Sequence, residues 1–228
     1  MDVVESVTPQ VDAGRALSDL LAQYVHTPIL LLVSGGSAFS MLEYVDEQAL
    51  GTNVTLAVLD ERFSTDPQVN NFAQLTQTPF YSHAVGAGVA VVSTLVASGD
   101  TLEDLAERMR HALRAWRMAN PSGVVITTMG IGPDGHTAGI FPVTGVDFDG
   151  AEAVIAYGVP EHIHKFTKRI TVTRTFLRIE VAHAIVLATG TEKHGVIDTL
   201  RQGACEAARM PACILREMQS VVLYTEIE

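Results

Sequence analysis

Little in this chain of 228 residues belongs to a secreted, membrane-spanning or nucleic-acid-binding protein. It has two cysteines, Cys205 and Cys213, too few for a disulfide framework, and both read as small core or surface residues. No apolar run approaches the ~18 residues of a membrane span. The first residues, Met1-Asp2-Val3-Val4-Glu5-Ser6, are acidic and lack the apolar centre of a secretory signal. Together these absences point to the cytoplasm. Basic residues are scarce: 15 Lys and Arg against 26 Asp and Glu give a net charge of −11, which argues against nucleic acid and anionic membrane as partners. A small anionic ligand stays open, because a local basic pocket overrides the mean field. His164, Lys165, Lys168, Arg169, Arg174 and Arg178 form such a cluster. Internal repeats and low-complexity tracts are also missing. With 47% hydrophobic residues, the expectation is one domain over residues 1–228.

Strand and helix patterns alternate. Thr8-Pro9 opens a helix with Thr8 as cap, and Ala13, Leu17, Leu20, Leu21 and Tyr24 form its stripe. Ile29–Val33 and Val54–Leu59 are uninterrupted aliphatic runs, the pattern of strands buried on both faces. Val89–Leu95 reads as a third strand. Thr101 and Asp104 frame a capping box for a helix whose face is Leu102, Leu105, Met109, Leu113 and Trp116. Further strands are expected at 124–128, 152–159, 168–173, 183–189 and 221–224, with a helix through Val196, Ile197 and Leu200. The stretch from Thr144 to Ala151 reads as a surface loop. The fold class is α/β: a Rossmann-like domain with a mostly parallel sheet and helices on both faces.

Chemistry concentrates at the ends of strands. Ser34-Gly35-Gly36-Ser37 lies between a strand and a helix carrying Met41, Leu42 and Val45. Such a turn offers backbone N–H groups to a phosphate, or is merely structural. Asp60-Glu61-Arg62 puts three charges at one strand end, which reads as a site or as a surface ion cluster. Gly130-Ile-Gly-Pro-Asp-Gly-His-Thr-Ala-Gly-Ile-Phe-Pro142 follows the strand at 124–128. Loops at the carboxyl ends of parallel strands are where open α/β sheets bind ligands. His136 suits proton transfer near neutral pH, so the segment reads as a catalytic loop or as a glycine-rich turn whose histidine faces water. His162-x-His164 lacks a third ligand nearby, so no metal site is expected.

The loop from Gly130 to Pro142 resembles the signature of the 6-phosphogluconolactonase family. Ser34–Ser37, Asp60–Arg62, Asn70-Asn71, Arg169-Ile-Thr-Val-Thr173, Thr189-Gly-Thr-Glu-Lys193 and Pro211-Ala212 follow in that family's order. The resemblance spans nearly the whole chain. It implies a fold shared with glucosamine-6-phosphate deaminase/isomerase and a hydrolase without metal or cofactor. The implied substrate is a phosphorylated sugar lactone of the pentose phosphate pathway. His136 would activate water, with Asp134 orienting it and Arg62 among the oxyanion donors. Ser34, Gly35, Gly36, Ser37, Asp60, Arg169 and Lys193 would bind substrate, and the assembly would be a monomer or weak homodimer. Ala38-Phe39 depart from the family's polar residue and proline, and Asn70 stands in place of a serine. The deaminase family carries a Glu before the loop's last Pro and a Tyr after Asp-Glu, where this chain has Phe141 and Arg62. An isomerase with Asp60 as base, or a non-catalytic sugar-phosphate-binding regulator, are the competing expectations.

Overall fold

The computed structural model describes residues 1–143, 145–203 and 205–227. In chain order its elements are β1 (Asp2–Ser6), α1 (Pro9–Gln23), β2 (Ile29–Val33), a 3-10 helix (Gly36–Tyr44), β3 (Val54–Val58), β4 (Asp60–Arg62), α2 (Asn71–Leu75) and α3 (Pro79–Gly86). There follow β5 (Ala90–Val91), α4 (Leu102–Ala119), β6 (Val124–Gly130), β7 (Val154–Gly158), β8 (Lys168–Val172), α5 (Arg174–Ile179), β9 (Val181–Leu187), α6 (His194–Gln202), a 3-10 turn (Pro211–Arg216) and β10 (Val221–Glu226).

Seven strands form one parallel sheet in the order β1-β10-β9-β6-β2-β3-β5. The aliphatic runs are continuous because both faces are covered. Leu31, Val33, Leu56 and Val58 pack with α1, the 3-10 helix, α2 and α3, while Leu30, Leu32, Ala57 and Val125 pack with α4 on the opposite face. The capping box forms as its residues dictate: Thr101 accepts the Asp104 N–H and Asp104 accepts the Thr101 N–H. Thr8 occupies the N-cap of α1, but its side chain makes no cap hydrogen bond. Among the described residues no helix is long and apolar enough to cross a membrane.

Several expectations change. The run Val89–Leu95 yields only Ala90–Val91, a short edge strand on β3. The segment after Ser37 is a 3-10 helix rather than an α-helix, with Val45 just past its end. The strand at 168–173 leaves the main sheet altogether. β4, β8 and β7 make a separate antiparallel sheet, with β8 in the middle pairing β4 on one side and β7 on the other. Thr144 lies outside the described residues. The segment after it is not purely a surface loop, because Phe148 is buried in the core and Asp149 holds Arg174 and Arg178.

The two cysteines are joined, with 5.9 Å between Cα atoms and a sequence separation of 8. The segment they close carries Met210, which sits under Gly135, and Ala212, whose N–H donates to the Gly135 carbonyl at 2.8 Å. The bond also removes the sparse-cysteine argument for a reducing compartment. A crosslink over so short a loop stabilises by roughly 2.5 kcal/mol on the loop-closure account. Cys205→Ser is therefore expected to shift denaturant unfolding by that order. Unfolding midpoints that are equal with and without reductant would show that the bond contributes nothing.

Candidate active site

The carboxyl ends of β2, β3 and β6 open on one side of the sheet, and the small antiparallel sheet walls the opening. A cleft of about 240 Å³ results. Ser34, Gly35, Gly36, Ser37, Asp60, Arg62, His136, Arg169 and Lys193 all line it, together with Asn71 and His164. Asp134 does not line it directly but reaches it through His136.

The loop after β6 is built around that pair. His136 Nδ1 lies 2.5 Å from Asp134 Oδ1, and the His136 backbone N–H donates to the same oxygen at 3.2 Å. A carboxylate on Nδ1 fixes the proton there and leaves the lone pair on Nε2. Burial alone would raise the Asp134 carboxyl, but the hydrogen bond and charge of His136 outweigh it and hold it below the usual carboxylate range. The imidazole stacks on Phe141, with centroids 4.3 Å apart and planes at 18°. Glycine is required at position 132, since a Cβ there would stand 2.1 Å from His136 Nδ1. At Gly139 (φ +64°) a Cβ would stand 2.5 Å from Asp60 Oδ2, so glycine lets the loop touch β4. Ala138, at φ 52°, is the non-glycine residue with positive φ among the described residues. Strain of that kind is held by surrounding contacts and clusters at functional sites. The holding contacts are the Thr171 hydroxyl on the Ala138 carbonyl at 2.5 Å and the Tyr157 hydroxyl on the Gly139 carbonyl.

The opposite wall is cationic. In the antiparallel register of β4 and β8, Arg62 stands directly across from Arg169. Like charges so placed repel unless an anion lies between them. The Nε atoms of both are buried without a hydrogen-bond partner among the described residues. Arg169 reaches Asp60 only at 3.4 Å and lies over Phe141, and Arg62 lies over Phe166. Lys193 is buried, with no ion-pair partner among the described residues. Burial pushes its ammonium down, against the opposing pull of Glu192 and Glu226. Three cations face one carboxylate, Asp60, in a cleft floored by the Ser34–Ser37 turn. Gly36 takes φ +68° in that turn, and Gly35 presses its backbone on Asn71.

The basic cluster seen in the sequence divides. Arg169 and His164 enter the cleft, whereas Arg174 and Arg178 pair with Asp149 elsewhere. His162 is exposed, and among the described residues no three metal-ligating side chains come together. Asp60-Glu61-Arg62 is not a surface ion cluster: Asp60 is 5% and Glu61 0% exposed.

Glu61 points away from the cleft and organises it from behind. Its carboxylate accepts the N–H groups of Arg62, Asn71 and Phe72 and the Thr94 hydroxyl, at 2.5–2.9 Å. Burial pushes this carboxyl up to about 7, against the pull of those four donors. The donors come from three separate segments, so the sequence alone gave no sign of the role. Glu61→Gln keeps the shape but turns an acceptor oxygen into an NH2 facing N–H groups. Orphaned buried donors should cost roughly 2–3 kcal/mol, or about 5–10 °C in Tm for a domain this size. A melting curve that superposes on that of the parent protein would contradict this.

A family model described as "Glucosamine-6-phosphate isomerases/6-phosphogluconolactonase" matches residues 12–224. A 6-phosphogluconolactonase of Pseudomonas aeruginosa is 32% identical over 132 residues, 57% of this chain and 52% of that protein. The match thus spans about half the length of this curated relative. The solved 6-phosphogluconolactonase of Trypanosoma brucei superposes with a TM-score of 0.77 at 21% identity, covering 99% of this chain and 95% of that one. A monomeric glucosamine-6-phosphate deaminase superposes with a TM-score of 0.75 at 19% identity, over 99% and 97% of the two chains. At these identities the structural likeness speaks for the fold alone, and the fold serves both a lactonase and a deaminase.

Proposed function

This chain belongs to the glucosamine-6-phosphate isomerase/6-phosphogluconolactonase family, and from that premise we propose that it hydrolyses 6-phospho-D-glucono-1,5-lactone to 6-phosphogluconate, in the cytoplasm, within the pentose phosphate pathway. The observation that carries the reading is the juxtaposition of the His136–Asp134 pair with the facing Arg62 and Arg169 in one cleft. It supplies a base on one wall and an anion site on the other.

In this mechanism the His136 Nε2 lone pair takes a proton from water as the water oxygen attacks the lactone carbonyl. Asp134 steadies the imidazolium that forms. Arg62 and N–H groups of the loop meet the negative charge on the tetrahedral oxygen. The imidazolium then protonates the ring oxygen as its bond to the carbonyl carbon breaks. The phosphate rests on the Ser34–Ser37 turn between Arg169 and Lys193, where charge-assisted hydrogen bonds are strongest. Asp60 binds the substrate from the centre of the cleft. Ester hydrolysis by these groups draws on no cofactor.

An isomerase or deaminase would use Asp60 as its proton-abstracting base. Asp60 is instead occupied by Arg169 and by Asn71, whose Nδ2 lies 3.4 Å from Oδ2, and Phe141 fills the place of the sister family's Glu. Product analysis separates the readings: acid from the lactone supports ours, and ammonia from glucosamine 6-phosphate supports the other. Thermal stabilisation by sugar phosphates without either product supports a regulator.

A further inference from the structure

His164 lines the cleft, yet the mechanism above does not use it. The turn between β7 and β8 fixes its backbone, with the Ile163 and His164 N–H groups donating to the Pro160 carbonyl at 2.9 and 3.1 Å. Its ring is wedged between Phe141 and Phe166, at centroid distances of 5.1 and 5.4 Å. Nδ1 lies 3.1 Å from the Phe166 N–H and 3.2 Å from an Nη of Arg169. Both neighbours are donors that cannot accept, so Nδ1 must carry the lone pair and the ring proton sits on Nε2.

The contact matters because Arg169 is otherwise loosely held. Its Asp60 contact is the longer one, at 3.4 Å, and its Nε has no partner among the described residues. The aromatic face of Phe141, 4.9 Å away, gives no direction within the guanidinium plane. The charged groups acting on His164 are Arg169 from β8, Arg62 from β4 and His136 from the catalytic loop. Burial, first, and then these neighbours hold the imidazole below the usual histidine range, which keeps the lone pair available.

We propose that His164 is a positioning residue whose Nδ1 lone pair aims the Arg169 guanidinium at the phosphate of the substrate. This rests on the reading of the cleft as a phosphate site, and its test separates the two.

The variants are His164→Ala, His164→Asn and His164→Gln. Asparagine places an acceptor oxygen where Nδ1 stood, whereas glutamine places its amide near the former Nε2. Binding of inorganic phosphate, read by calorimetry, requires no turnover. His164→Ala and His164→Gln should weaken it by roughly fivefold or more, and His164→Asn should restore it to within about twofold. With the phosphorylated lactone, Ala and Gln should raise KM while leaving kcat nearly unchanged, and Asn should recover the parent KM. Phosphate binding with this pattern in a protein that hydrolyses no lactone would uphold the His164–Arg169 contact and sink the lactonase reading. Equal phosphate affinity in the parent and Ala proteins, or Asn no better than Gln, would overturn the proposal. So would a parent protein that binds no phosphate.

Discussion

His136→Ala is expected to lower kcat on the phosphorylated lactone by roughly 10²–10⁴-fold, the range for a positioned proton-transfer group. The ring stands where proton transfer needs it: Nδ1 is taken by Asp134 at 2.5 Å, and one face lies on Phe141. The other imidazole among the described residues lining the cleft, His164, has its Nδ1 lone pair taken up by the Phe166 N–H and Arg169. KM should change little, because the phosphate anchors come from β8 and the Ser34–Ser37 turn. Folding should survive, as the side chain is 30% exposed on a loop. Asp134→Asn should lower kcat to a comparable extent, because an amide that donates its NH2 to Nδ1 selects the wrong tautomer and cannot balance the imidazolium. Near-normal turnover in the folded Ala variant, after subtraction of the spontaneous rate, would remove His136 from the mechanism.

Arg169→Ala or Lys193→Ala should cost about tenfold to hundredfold in kcat/KM on the 6-phosphorylated lactone, from the roughly 1.5–3 kcal/mol of a hydrogen bond to a charged group. The unphosphorylated lactone should be nearly indifferent to either change. Both cations are buried; Arg169 has only a 3.4 Å contact with Asp60 and Lys193 has no ion-pair partner among the described residues, so both have capacity left for an anion that binds between them. Arg62→Ala should behave differently. It acts on the carbonyl oxygen in our reading, so both lactones should suffer in kcat. Equal losses on both lactones for Arg169→Ala would instead assign that residue to the reaction centre.

The β2 and β3 strands were legible because burial on both faces demands unbroken aliphatic runs, and Ile29–Val33 has no other use. The loop at 130–142 was legible because glycines at constrained positions and a lone imidazole have few joint explanations. What escaped lies where local pattern and fold part company. β4 consists of Asp60, Glu61 and Arg62, residues that no strand propensity selects, and it forms only because β8 pairs with it. The first residues were read only as acidic and unlike a secretory signal, with no strand assigned, yet β1 pairs along β10 at the sheet edge, where most of its residues stay exposed. α3 and α5 are short, and their Thr78 and Thr173 caps were passed over in the sequence. The Cys205–Cys213 bond and the donors of Glu61 depend on segments brought together by folding. His164 was counted as one charge in a basic cluster, and only its geometry sets it apart from Lys165 and Lys168.

The most direct test of the central claim is the rate at which purified protein removes freshly made 6-phosphogluconolactone, measured by a coupled assay and corrected for spontaneous hydrolysis. Our reading predicts a rate that is proportional to enzyme concentration, far above the spontaneous one, and largely lost in His136→Ala. A rate that equals the spontaneous hydrolysis at every protein concentration would contradict it.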